Sequence, residues 1–124
     1  MKFKFTNGEI YQIAYNLNQA FDNLDIRIPA KPNFYIQKNA RIIAAAAQEI
    51  DKSRLEVVQH YGKLDEETEN YIVPNDKLDA ANKELNELFN IEQELDIKQF
   101  SIEDLGGLEF SASQMQAIMF MIED

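Results

Sequence analysis

Apolar positions recur every seventh residue along one long stretch of this chain: Ile36, Ile43, Ile50 and Val57, with Ala40 and Ala47 at interleaved positions. The spacing predicts a helix over 32–61 with a narrow apolar seam, the pattern of a rod packed lengthwise against another helix. Pro32 suits its first turn, where a missing N–H costs nothing. Gly62 is expected to end it, as a residue that tolerates the left-handed backbone of many helix ends. A second narrow seam, Leu78, Ala81, Leu85 and Leu88, could pair with the first as an antiparallel hairpin. At about 1.5 Å per residue the longer rod outruns that partner, so the excess seam is expected to be covered by a second copy. The expectation is a homo-oligomer built through the helix at 36–57.

The remaining pattern supplies shorter elements. Phe3 and Phe5 alternate with Lys2 and Lys4, the period of a strand with one buried face. Thr6 with Glu9 three residues on is a capping box, opening a helix striped by Ile10, Ile13, Ala14, Leu17, Phe21 and Leu24. Residues 26–29 are a brief extended segment, and Pro29 and Pro32 bracket a turn. Residues 63–70 are a polar, acidic loop or hairpin tip. Tyr71, Ile72 and Val73 have strand composition, and Pro74-Asn75 stops them and caps the next helix. Leu95 and Ile97 centre a strand, Ser101 caps a short turn to Leu105, and Gly106-Gly107 breaks it. Ser111 with Gln114 caps a last helix on which Met115, Ile118, Met119 and Ile122 face one way. The fold class is α+β: a single domain over 1–124 with a long central helix, shorter helices and a small antiparallel sheet of short strands.

Composition narrows the chemistry. The chain has 124 residues and no cysteine, which excludes disulfides, thiolate metal sites and thiol nucleophiles. No apolar run approaches the roughly 18 residues of a membrane span, and residues 1–5 lack a signal peptide's apolar stretch, so no membrane association is expected. The net charge of −10 is uneven: residues 1–61 carry eight Lys/Arg and six Asp/Glu, and residues 62–124 carry four and sixteen. Such a chain is a poor ligand for duplex nucleic acid, which demands a basic stripe. A small anion can still bind locally in the basic half.

The entry to the long helix is where such an anion would go, because its first N–H groups have no intrahelical acceptor. Arg27, Lys31, Lys38 and Arg41 flank that end, with Phe34 and Tyr35 beside them. At about 100° per residue, Phe34, Lys38 and Arg41 share a sector nearly opposite the apolar seam. An aromatic ring with cations suits a nucleotide: the ring stacks on a base and the cations meet phosphates. A plain solvated basic face accounts for the same residues. Arg54 falls on the seam between Ile50 and Val57, so it needs a partner, either Glu84 or Glu87 or a ligand phosphate at a subunit interface; a snorkelling or internally paired structural arginine accounts for it as well. Asn39, at the seam's edge, fits a register-setting residue in a helix pair.

The other polar residues give no catalytic or metal signature. His60 is the lone histidine, with no ligand partner for zinc and no triad spacing. Asp65, Glu66, Glu67 and Glu69 lack the alternation of a calcium loop, and Gly106-Gly107 follows no phosphate-loop pattern. The expectation is a protein without catalytic residues, metal or cofactor.

Three segments together carry a resemblance: 3–9 (Phe-Lys-Phe-Thr-Asn-Gly-Glu), 38–41 (Lys-Asn-Ala-Arg) and 83–88 (Lys-Glu-Leu-Asn-Glu-Leu), followed by a strand and the helix at 111–115. This layout resembles small proteins of unknown function encoded by tailed phages of Gram-positive bacteria. The resemblance implies a phage accessory or assembly protein acting in the host bacterial cytoplasm, with no catalytic residues. Two functions fit that setting. In the first, a homo-oligomer binds and sequesters a small anionic ligand, such as a nucleotide immune signal of the host. Arg27, Lys31, Tyr35, Lys38, Arg41 and Arg54 would then be contacts, with Phe34 stacking. In the second, the chain is a structural or assembly factor of the virion, binding a protein through the 36–57 seam and the methionine-rich last helix.

Overall fold

The computed structural model describes residues 2–21 and 27–123. Strand β1 (Lys2–Thr6) passes directly into helix α1 (Asn7–Phe21). The change is local: Glu9 N–H donates to Thr6 Oγ1 at 3.1 Å, and the Glu9 carboxylate accepts the Thr6 N–H at 2.9 Å, the expected capping box. Leu24 and Ile26 lie outside the described residues. β1 pairs antiparallel with β4 (Glu92–Asp96), Lys2 opposite Asp96 and Thr6 opposite Glu92. Phe3 and Phe5, on one face of β1, stack at 5.9 Å and pack against the core.

Helix α2 (Ala30–Tyr61) is the predicted rod, 32 residues long, with Pro32 buried in its first turn. Its seam is broader than the heptad suggests, since Asn39 and Ala46 are buried alongside Ile36, Ile43 and Ile50. The chain covers that seam by itself. Ile10 and Leu17 of α1, Leu95, Ile97, Phe100, Ile118 and Met121 join those isoleucines in one core. α1 lies antiparallel to α2, with Tyr11 bonded to Asp51 at one end and Phe21 beside Asn33 at the other. α3 (Leu78–Phe89) also packs against α2, where Glu84 raises the Tyr61 phenol above its ordinary value. The case for a homo-oligomer through 36–57 counted one covering helix where the fold supplies two and a strand layer. The isoleucines of that seam are buried within the chain, while Ala40 and Ala47 face open space between α1 and α2.

Gly62 ends α2, but not by the expected conformation. Its φ of −100° and ψ of 171° are extended backbone that any residue adopts. What excludes a side chain is space: a Cβ there would sit 2.6 Å from the Val58 carbonyl oxygen and 3.2 Å from that of Ile72. The acidic segment that follows is a hairpin, β2 (Lys63–Asp65) on β3 (Asn70–Ile72), with Leu64 opposite Tyr71. Asp65 organises its turn, accepting the Glu67 N–H and the Thr68 hydroxyl, each at 3.1 Å. Asn75 does not cap α3: a 3-10 turn over Asn75–Lys77 intervenes, without a side-chain cap.

Toward the end of the chain, Ser101 and Asp104 form a capping box, and Gly106 (φ 67°) and Gly107 (φ 78°) take the left-handed region that other residues avoid. β5 (Phe100–Ser101) pairs with β6 (Ile122–Glu123) in parallel, where only antiparallel strands were expected. Ser111 and Gln114 cap α4 (Ala112–Ile118) as predicted. The chain then tightens into a 3-10 turn, Met119–Met121. That tightening takes Met119 off the expected apolar face, leaving it 61% exposed, and buries Met121 instead.

Candidate binding surface

The long helix brings together three of the seven predicted contact residues. Phe34, Lys38 and Arg41 are exposed on the flank of α2 turned away from the core. Lys38 Nζ stands 5.9 Å from the centre of the Phe34 ring, a cation–π distance. Lys38 and Arg41 make no ion pair among the described residues. The other four residues are elsewhere engaged or apart. Lys31 reaches Asp104 at 3.5 Å, tying the start of α2 to the turn after β5. Tyr35 is half-buried against the core, with Phe34 edge-on to it at 6.0 Å. Arg27 is exposed ahead of the helix.

Arg54 lies 13 positions beyond Arg41, about 20 Å along the helix at ~1.5 Å per residue. Neither Glu84 nor Glu87 is its partner. Its Nε bonds Asp51 Oδ1 at 2.9 Å, one turn back on the same helix, and the Tyr11 hydroxyl donates to that same oxygen. Three titrating groups therefore share one contact. Hydrogen bonds from Tyr11, then from Arg54, hold the Asp51 carboxyl below its ordinary value. Burial, then the bond to Asp51, pushes the Tyr11 phenol up. The bond to Asp51 also raises Arg54. Asn39 is likewise reassigned: its amide faces the backbone of Lys98, not a polar partner on another helix.

The concave surface lies beside this cluster, between α1 and α2. A cavity of about 710 Å³ toward Phe21 and Asn33 and one of about 490 Å³ toward Tyr11 and Asp51 share Leu17, Asn18 and Ala40, forming one furrow. A third, of about 410 Å³, continues it past Tyr15 to Phe89. None of the seven predicted residues lines these cavities. Their polar groups include the amides of Gln12, Asn18, Asn33, Gln37 and Gln48 and the hydroxyls of Tyr11 and Tyr15. The alanines 40, 44 and 47 let a visitor approach the helix closely. Among the described residues Asp51 is the one charged lining residue, and Arg54 already balances it. Such a furrow can hydrogen-bond an uncharged partner, and among the described residues its lining offers no cation for phosphate. The sequence signal was the row Gln37, Ala40, Ala44, Ala47 and Gln48, whose small residues at helical spacing mark close approach.

Among the described residues no three His, Asp or Glu side chains gather to hold a metal ion, and no helix is long and apolar enough to cross a membrane. In comparisons with known protein families, curated proteins and solved structures, the chain matches none.

Proposed function

We propose that this chain is a non-enzymatic phage accessory protein that works by protein–protein contact, as a structural or assembly factor, with the α1–α2 furrow as its contact surface. One observation carries the reading: the concave surface is walled by amides, alanines and tyrosines, while the cations stand outside it. Amides and hydroxyls match the donors and acceptors of a peptide partner, and the alanines leave room for its backbone. The phage setting rests on the segment resemblance.

A photo-crosslinking residue at Ala44, inside the furrow, tests this against one at Glu56, on the exposed flank of α2. In phage-infected cells the Ala44 position gives a discrete covalent adduct with one phage protein and the Glu56 position gives none. Equal labelling from both positions, or none from either, overturns the reading.

A second reading has its own observation, the Phe34–Lys38 pair with Arg41 one turn on. In it the protein sequesters a small anionic ligand, such as a nucleotide immune signal of the host, in the host cytoplasm. A nucleotide that raises the melting temperature of the wild type, but not of Lys38→Glu/Arg41→Glu, would move the assignment there.

A further inference from the structure

Five of the six strand residues of the β2–β3 hairpin are exposed. A two-stranded hairpin of three-residue strands is marginal in water. Yet Leu64 and Tyr71, directly paired and so on one face, remain 53% and 36% exposed, and Ile72 is 56% exposed on the other. This apolar surface is framed by charge: residues 62–77 hold five carboxylates and two lysines. The opposite end of α2 has the complementary character. Residues 27–48 contain four cations and no carboxylate, and Phe34 stands 56% exposed between Lys31 and Lys38.

These two ends cannot meet within one chain. Arg41 and Gly62 are joined by uninterrupted helix, some 30 Å at about 1.5 Å per residue. That is about three Debye lengths at 0.1 M salt, so each end is electrostatically blind to the other. Complementarity between them is satisfied only between molecules.

We propose that copies of this chain associate head to tail, the acidic β2–β3 hairpin of one seating on the Phe34–Lys38–Arg41 flank of the next. The occupant is a second copy because this chain itself presents the opposite charge, with an exposed aromatic ring, for the hairpin's apolar face. Charge fixes the orientation, since a net charge of −10 per chain opposes every other approach. The contact is heterologous: each copy uses one end and offers the other, so association extends into a filament or closes into a ring. It engages neither wall of the furrow, so it stands or falls independently of the function proposed above.

Light scattering on the full chain tests this. At low ionic strength the mass rises with concentration above that of a single chain, and salt reverses it. Lys38→Glu/Arg41→Glu removes one end and Glu66→Lys/Glu67→Lys the other, all at exposed positions, with circular dichroism melts confirming that both variants fold. Each variant alone remains a single chain. Mixed in equal amounts they rise above single-chain mass, because the intact hairpin of one meets the intact flank of the other and the two reversed ends are again opposite in charge. A mixture that stays at single-chain mass overturns the proposal. So does a wild type that is a single copy at every salt concentration, including one whose basic flank binds a nucleotide or anionic vesicles instead.

Discussion

The side-chain amide of Asn39 and the backbone of Lys98 exchange two hydrogen bonds, each 2.8 Å, with the asparagine fully buried. Asn39 Nδ2 donates to the Lys98 carbonyl, and its Oδ1 accepts the Lys98 N–H. The amide thus does for residue 98 what a neighbouring strand would do, and ties that backbone to the central helix.

Replacing Asn39 by Ala strands both backbone groups of Lys98 beside the core. Each unsatisfied group costs about 1–3 kcal/mol, so a loss of roughly 2–5 kcal/mol is expected in urea unfolding. Asn39→Asp keeps the acceptor but sets a carboxylate against the Lys98 carbonyl, and is expected to be no better than Ala. A loss below about 0.5 kcal/mol in Asn39→Ala would mean that water replaces the amide.

The Tyr11–Asp51–Arg54 contact predicts two pH limbs. Asp51 is held below its ordinary value, so the fold favours the carboxylate. Its contribution is full above the unfolded value of about 3.9 and is lost as pH falls through the lower folded value. Tyr11 is held up, so the fold favours the phenol. That contribution is full below about 10 and is lost as pH rises through the higher folded value. Melting temperature against pH is therefore expected to have a flatter acid limb in Asp51→Asn and a flatter alkaline limb in Tyr11→Phe than in wild type. Identical limbs in wild type and variants would break the assignment.

How much of this was legible in sequence depended on range. The boxes at Thr6–Glu9 and Ser111–Gln114 are closed over three residues, so spacing alone revealed them. The clustering of Phe34, Lys38 and Arg41 followed from helical angle. What covers Ile43 did not, because α1 and the strand layer reach it from distant parts of the chain. The angle puts Arg54 on the side of α2 that faces α1 and leaves an internal pair open, but it does not show that the partner is Asp51 rather than Glu84 or Glu87. The furrow is a space between two helices: the row of small residues on α2 marks one wall, but nothing in that row shows that α1 stands opposite it.

Gly62 and Gly106 separate two reasons for glycine. At Gly62 the backbone is ordinary and the obstacle is the Val58 carbonyl oxygen, 2.6 Å from a Cβ. At Gly106 nothing lies within 4 Å, and the obstacle is φ of 67°. Gly62→Ala is expected to cost about 1–3 kcal/mol by forced displacement and to loosen the hairpin, seen as faster amide exchange at Leu64 and Tyr71. Gly106→Ala is expected to cost about 1–2 kcal/mol from backbone conformation alone, with hairpin exchange unchanged. Equal exchange in both variants would show that α2 and the hairpin are not wedged together at residue 62.

Asn7 fastens the start of α1 to the end of α3. Its backbone N–H donates to the Ile91 carbonyl at 2.8 Å, and its Nδ2 donates at 2.9 Å to the Leu88 carbonyl, which also accepts the Ile91 N–H at 3.3 Å. Its Oδ1 accepts from Gln93 Nε2 at 2.7 Å. Asn7→Ala removes both side-chain bonds at a buried position, and a loss of about 1–3 kcal/mol is expected. Gln93→Ala is expected to lose less, because Gln93 is only half-buried and its partner keeps the Leu88 bond. The double variant separates pairing from packing: a coupling of about 0.5 kcal/mol or more in the mutant cycle supports a working amide–amide bond. Simple additivity would instead assign Asn7 to the Leu88 carbonyl alone, making it a cap for α3 and not a clasp between α1 and β4.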